Sequence, residues 1–149
     1  MMELDAFPEE LRRRALEVGQ VLRMEMFLED IVRPKEGKDS KEKRFVIVGN
    51  NGNKVVAALL INSKINQNLF NKIGPYQHLI RSDSYDFLDH DSYVDGYLIR
   101  EFDADRVLKS AIYLGSIGAE DVKESIRLAV ASPKQKPYII KRYGLDSYL

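Results

Sequence analysis

The sequence contains no cysteine, and this absence excludes several kinds of chemistry. A chain without thiols has no disulfide framework, no thiolate nucleophile and no cysteine ligands for a zinc finger, which fits the reducing cytoplasm. No stretch reaches the ~18 uninterrupted apolar residues of a membrane span, and residues 1–10 lack a basic region followed by an apolar core. We therefore expect a cytoplasmic protein with no membrane partner.

Net charge is also absent, because 23 Lys and Arg residues balance 23 Asp and Glu residues. Without a field over the whole molecule, any site for a polyanion must be local. Three common catalytic motifs are missing too: Gly-x-x-x-x-Gly-Lys, Gly-x-Ser-x-Gly and His-Glu-x-x-His. The length of 149 residues instead predicts one domain, residues 1–149, with a modest core.

Residues 1–19 predict an amphipathic helix that precedes the main body of the domain. Pro8 suits the first helical position, and Gly19 offers a stop. The apolar residues at helical spacing are Leu4, Phe7, Leu11, Ala15 and Val18. Arginines 12–14 occupy the opposite face, which is either solvated or in contact with RNA or an acidic partner.

Two apolar runs around Asn51-Gly52 predict a β-hairpin, in "RFVIVGNNGNKVVAALLINSKIN". A strand over residues 21–28 and an exposed loop over residues 33–43 come before it. Asn and Gly tolerate the positive φ angles of a type I′ turn, which would put Arg44 opposite Leu59. Alternation then gives two faces, both apolar. One carries Arg44, Val46, Val48, Val55, Ala57, Leu59, Ile61 and Ser63, and the other carries Phe45, Ile47, Val56, Ala58 and Leu60. A helix or a second subunit must cover the second face.

The second half of the chain predicts further strands and a helix. "YQHLIRSDSY" and "SYVDGYLIREF" are rich in β-forming residues, Asp103 caps a helical turn, and residues 111–114 form a strand. A helix opens at Ser116 or Gly118 and ends before Pro133. The elements of residues 20–131 predict a mainly β fold with flanking helices, built on a small, strongly curved antiparallel sheet or barrel.

The tail, residues 132–149, has two alternative interpretations. Its tyrosines and four basic residues are of the types that stack on bases and pair with phosphates. Its apolar pair, Ile139 and Ile140, alternatively docks on the same subunit or on a neighbouring one.

His90 and the aspartates around it form a weaker candidate site. His90 lies between Asp89 and Asp91, so that a carboxylate could orient it as a general base. The alternative is a turn in which the aspartates cap backbone groups. The stretch from Asp83 to Asp95 does not match the ligand pattern of a calcium loop, and we expect no bound metal.

The strongest candidate site is at the open end of the hairpin. Residues 33–44 hold six basic and three acidic residues, a basic corner on a neutral protein. Arg44 could bind a phosphodiester, and the Ser63 hydroxyl could donate to one of its non-bridging oxygens. The predicted register leaves Ser63 four residues past the partner of Arg44, about 13 Å along a regular strand. The neighbouring candidates for binding substrate are Lys41, Lys43, Asn62 and Lys64.

The order of these motifs resembles that of the MazF/PemK toxins of bacterial toxin-antitoxin systems. Arg44 with "FVIV", then "VVAALLINSKIN", then "YDFLDHDSYVDGYLIREFDADRVLKSAIYLGSIGAEDVKESIRLAV" follow the family's order over residues 20–131. The resemblance implies an SH3-like antiparallel barrel with an N-terminal and a C-terminal helix packed on it. It also implies a homodimer that cleaves single-stranded RNA without metal or cofactor and is neutralised by an antitoxin protein.

The resemblance gives Arg44 and Ser63 the catalytic roles, and leaves one alternative open. The ribose 2′-hydroxyl is the nucleophile, Arg44 stabilises the charge that develops at phosphorus, and the general base is unidentified. Lys43 and Phe45 stand where the family commonly has Gly and Pro, and Ser63 stands where Thr is usual. The alternative is therefore a non-catalytic barrel that binds RNA or a protein partner.

Overall fold

The computed structural model describes residues 2–149 as one antiparallel sheet flanked by helices. The strands are β1 (Met2–Glu3), β2 (Gln20–Met26), β3 (Lys41–Asn51), β4 (Val55–Asn62), β5 (Gln77–Ile80), β6 (Ser92–Asp103) and β7 (Ile112–Ser116). The helices are α1 (Glu9–Arg14), α2 (Phe70–Ile73), α3 (Ala104–Ser110), α4 (Ala119–Ala131) and α5 (Pro137–Arg142). The predicted class, a β fold with flanking helices, is confirmed. Among the described residues, no helix combines the length and the apolar character needed to cross a bilayer.

The strands follow the order β1-β7-β2-β3-β4-β6-β5, and every neighbouring pair is antiparallel. The register shifts within three ladders, between β2 and β7, β3 and β4, and β4 and β6. Such bulges bend and twist a sheet. In the described chain β1 and β5 each pair with one strand only and form the two edges of the sheet, so the sheet is not closed into a barrel.

The hairpin of β3 and β4 forms as predicted, but its register differs. The positive φ angles fall on Gly52 (63°) and Asn53 (58°), one residue later than expected. The Asn50 side chain fixes this turn, because its Oδ1 accepts a hydrogen bond from the Asn53 N–H at 2.9 Å. A bulge at Val48 follows, and Arg44 pairs with Ile61. The predicted pairing with Leu59 is therefore wrong by two residues.

A shift of two residues preserves which side chains share a face, and both predicted faces are confirmed. Phe45, Ile47 and Leu60 pack with residues of the N-terminal segment and α3, such as Leu16 and Val107. The opposite face belongs to a second cluster, which contains Val46, Val48, Leu59, Ile126 of α4 and Leu145. Both faces are thus covered from within the same chain, and the hairpin does not need a second subunit to bury it.

The predicted N-terminal helix is wrong in its extent. Only α1 is helical, it has no buried residue, and Pro8 precedes it as the cap. Leu11 and Val18 are 45% and 39% exposed, whereas Leu4 is buried in a separate 3-10 turn. Since these apolar side chains are divided among the 3-10 turn, solvent and the core, where Ala15 is buried, they do not form one helical stripe.

The remaining predicted elements are confirmed with small changes. The loop after β2 ends at Ser40, because Lys41, Glu42 and Lys43 already belong to β3. Asp103 occupies the N-cap position of α3, but in the described chain its side chain makes no capping hydrogen bond, so only the position of the predicted cap is confirmed. Gly118 precedes α4, which packs on β5 and β6. In the tail, Ile139 and Leu145 are buried on the same chain, so the docking interpretation is confirmed.

Candidate functional site

An open cleft of about 1090 Å³ lies where β3 begins and β4 ends. All six candidate residues from the sequence line it: Lys41, Lys43, Arg44, Asn62, Ser63 and Lys64. Ser63 is exposed and Arg44 is half-buried, so both remain accessible.

The ladder between β3 and β4 explains why these residues meet. Arg44 pairs with Ile61, and Ser63 follows two residues later on the same side of the hairpin. The offset is about 7 Å along the strand instead of about 13 Å. The side chains of Lys43 and Asn62 extend from the opposite side of the hairpin. There the Lys43 Nζ donates a hydrogen bond to the Asn62 Oδ1. The cleft therefore reaches around both sides of the hairpin's open end.

Arg44 lies in a crowded, charged environment. Its cross-strand partner on β2 is Arg23, which pairs with Glu42 and so leaves Arg44 free of that carboxylate. Burial lowers the pKa of Arg44 from its ordinary value, and Arg23 adds to this effect while Asp89 opposes it. A guanidinium still carries its proton at neutral pH, so Arg44 is a fixed positive charge in the cleft.

Lys43 has an unusual electrostatic position. Burial lowers its pKa to about 8, Lys41, Arg100 and Arg44 add to the lowering, and Asp95 opposes it. Of these groups Arg100 and Asp95 belong to β6, across the sheet from Lys43. An amine with this pKa is partly neutral near neutral pH.

Arg100 is a cleft residue that the sequence analysis did not identify. Its Nε donates to the Asp30 carbonyl at 2.8 Å and its Nη2 to the Ile31 carbonyl at 2.5 Å. The left-handed backbone of Ile31, with φ of 62°, ends the 3-10 turn that presents these carbonyls. Burial lowers the pKa of Arg100, and Asp95 opposes the shift. Two backbone acceptors thus hold this cation against the cleft wall.

The cleft concentrates positive charge on a protein whose net charge is zero. Seven Lys and Arg residues and four Asp and Glu residues line it. The basic residues beyond those predicted are Arg23, Arg33 and Arg100, and the acidic residues are Glu42, Asp86, Asp89 and Asp95. Such a lining attracts an anionic chain.

His90 also lines the cleft and is exposed. Asp91 accepts hydrogen bonds from the backbone N–H of Ser82 at 2.8 Å and from its hydroxyl at 3.2 Å, as the capping alternative predicts. The His90 imidazole takes part in no hydrogen bond within residues 2–149, so no described carboxylate orients it as a base. The described side chains include no group of three or more His, Asp or Glu that could hold a metal ion.

Arg23 and Arg100 could not be predicted as cleft residues from the sequence, because strand pairing between distant segments places them there. Arg23 faces Arg44 only through the pairing of β2 with β3, two strands separated by a long irregular connection. Arg100 reaches the cleft through the pairing of β6 with β4 and through the turn before Ile31. A local pattern carries no signal for such contacts.

Comparisons of the chain with protein-family models and with curated proteins found no match.

Proposed function

We propose that this protein is a metal-independent endoribonuclease of the MazF/PemK toxin type, acting on single-stranded RNA. The observation that carries the proposal is the single cleft that Arg44, Ser63 and their basic neighbours line together. Its local excess of positive charge suits a phosphodiester chain, and its openness suits an unpaired strand.

The chemistry requires no nucleophile from the protein. The ribose 2′-oxygen attacks the adjacent phosphorus, its proton leaves, and the bond from phosphorus to the 5′-oxygen breaks. The products are a 2′,3′-cyclic phosphate and a 5′-hydroxyl. Arg44 and the Ser63 hydroxyl stabilise the negative charge that grows on the non-bridging oxygens in the transition state.

The proposal extends to the finer fold, the partners and the location. The resemblance implies an SH3-like barrel, and the bulges that bend the antiparallel sheet support a partly open form of it, since β1 and β5 do not close the sheet. An antitoxin protein would neutralise the enzyme in the cytoplasm. The homodimer rests on the resemblance, since both hairpin faces are already buried within one chain.

Cleavage in the presence of EDTA tests the proposal. Purified protein incubated with single-stranded RNAs of varied sequence should give fragments with cyclic-phosphate ends. Arg44→Ala should lower the rate by at least about 100-fold, because a fixed donor to the transition state is lost. Unchanged circular dichroism of the variant shows that its fold is intact. Absence of cleavage by the wild type on all substrates contradicts the proposal.

The second candidate is a non-catalytic barrel that binds RNA or a protein partner. The four carboxylates in the cleft favour this candidate, because they offset part of the positive charge that a catalytic site would direct at phosphate. Glu42 forms a salt bridge with Arg23, and the charge of Asp89 acts on Arg44. Salt-dependent RNA binding without any cleavage would select this alternative.

A further inference from the structure

Lys43 is a half-buried cation that lacks the partners a structural lysine normally has. An ammonium group carries three donors, but in the described part of the chain the Lys43 Nζ hydrogen-bonds only to the Asn62 Oδ1. No carboxylate of residues 2–149 forms a salt bridge with it.

The charges that face Lys43 favour its neutral form. Lys41 and Arg44 come from its own strand β3, and Arg100 and Asp95 come from β6. Three cations thus oppose one carboxylate, and burial acts in the same direction as the cations. Its pKa of about 8 makes roughly a tenth of the molecules neutral at pH 7.

A neutral amine at the cleft wall is able to accept a proton. The neutral amine still has hydrogens with which to donate to the Asn62 Oδ1, and that hydrogen bond does not use its lone pair. Successive residues leave a strand on opposite sides, so Lys43 and Arg44 flank a chain that lies across the start of β3. Both residues line the same cleft, which gives the amine access to a bound ribose.

We infer that Lys43 is the general base that accepts the proton of the ribose 2′-hydroxyl, and that Asn62 is the positioning residue for its amine. This inference rests on the proposed ribonuclease function. The 2′-proton moves to the Nζ lone pair as the bond from the 2′-oxygen to phosphorus forms. The departing 5′-oxygen takes a proton from water, and the Lys43 ammonium then returns its proton to the solvent.

The pH dependence of kcat/KM in EDTA tests this inference, because that profile reports the groups of the free enzyme. The wild type should gain about tenfold per pH unit at low pH and level off above about pH 8, the pKa of Lys43. Lys43→Arg should lower kcat/KM at the plateau by about 100-fold or more and remove this limb, because arginine cannot give up its proton. The matched control is Lys54→Arg, an exposed residue of the hairpin turn, which should keep the wild-type profile.

Asn62→Asp separates a positioning role from a merely structural one. A carboxylate next to Lys43 stabilises the ammonium, so the limb of the profile should move to higher pH. NMR titration of labelled lysine side chains, assigned by the loss of one signal in Lys43→Arg, should show one amine titrating near pH 8 in the protein without RNA.

The possible failures of the two proposals are distinguishable. If the wild type cleaves RNA and Lys43→Arg keeps both the rate and the limb, the inference is overturned while the ribonuclease stands. An NMR titration of Lys43 near the ordinary lysine value of 10.5 also overturns it. If the wild type cleaves no RNA at any pH, the ribonuclease itself is wrong and the base role falls with it.

Discussion

Arg44 on β3 is paired directly with Ile61 on β4. Ser63 lies only two residues beyond this partner, on the same side of the hairpin, and both Arg44 and Ser63 line the cleft. The hairpin therefore brings a guanidinium and a hydroxyl together at its open end, although the two residues are far apart in the sequence. This proximity depends on the bulge at Val48 and the turn at Gly52-Asn53 together.

Removal of the Ser63 hydroxyl should impair cleavage and leave stability unchanged. Ser63→Ala should lower kcat by about 100-fold, because a donor to the non-bridging oxygen is lost. Ser63→Thr keeps the hydroxyl and should stay within a few-fold of the wild type. Ser63 is exposed, so both variants should unfold in urea within about 0.5 kcal/mol of the wild type. Equal kcat values for Ser63→Ala and the wild type would remove Ser63 from the mechanism.

The salt dependence of RNA affinity should identify the lysines that contact phosphate. Lys41 and Lys64 are exposed at the cleft, and each phosphate contact in a single-stranded complex contributes about 0.7 to the slope of log K against log salt. Lys41→Ala and Lys64→Ala should each reduce this slope by about that amount. A 2′-O-methyl RNA, which cannot be cleaved by this chemistry, allows the measurement by fluorescence anisotropy.

The control for the salt series is Lys109→Ala, an exposed lysine near the end of α3 that does not line the cleft. It should keep the wild-type slope. A slope that is the same in all four proteins would mean that RNA does not lie in this cleft.

Sequence patterns predicted the faces of the hairpin but not its register. Alternation assigns residues such as Phe45 and Val46 to opposite cores, and a shift of two residues leaves that assignment intact. The register depends on which of several adjacent Asn and Gly residues adopts positive φ. Asn51, Gly52 and Asn53 all tolerate it, and the hydrogen bond between Asn50 and Asn53 selects the last two.

The cleft residues also differ in whether a local sequence pattern could predict them. Lys43, Arg44, Asn62 and Ser63 lie at the ends of one hairpin, so one motif identified them. Arg100 is held by carbonyls of a turn that is about 70 residues away in the chain. The strength of this contact comes from burial and tertiary pairing, which no local pattern encodes.

The salt bridge between Asp30 and Arg106 should make the free energy of unfolding depend on pH in the acidic range. Both carboxylate oxygens of Asp30 accept from the Arg106 guanidinium at 2.7 Å, and the Asp30 side chain is only 7% exposed. The hydrogen bonds from Arg106 hold the pKa of Asp30 below its ordinary value of 3.8. The stabilisation is therefore complete above the unfolded pKa of 3.8 and is lost as the pH falls through the lower, folded pKa.

Asp30→Asn should lower the free energy of unfolding at pH 7 by about 2 kcal/mol, since charge-assisted hydrogen bonds to a buried acceptor are lost. It should also flatten the fall in stability below pH 3.8. The matched control is Glu9→Gln, because Glu9 forms an exposed pair with Arg13 and should change stability by less than about 0.5 kcal/mol. Urea denaturation over a pH series measures both variants, and equal losses for the two would contradict this account.

Gly49 provides space for the docked tail, and its replacement should loosen that tail. A Cβ on Gly49 would lie 2.6 Å from the Cδ1 of Tyr143, whose hydroxyl donates to the Glu101 carboxylate at 2.6 Å. Gly49→Ala should cost about 2 kcal/mol of stability through overpacking, as measured by urea denaturation. A Cβ on Gly49 would also lie 2.8 Å from the Tyr143 Cβ, which alanine would keep, so the matched background is Tyr143→Gly. There the ring and the Cβ are both gone, and the same change should cost less than about 0.5 kcal/mol. An equal cost in both backgrounds would show that the strand backbone, and not the side chain of Tyr143, requires glycine at this position.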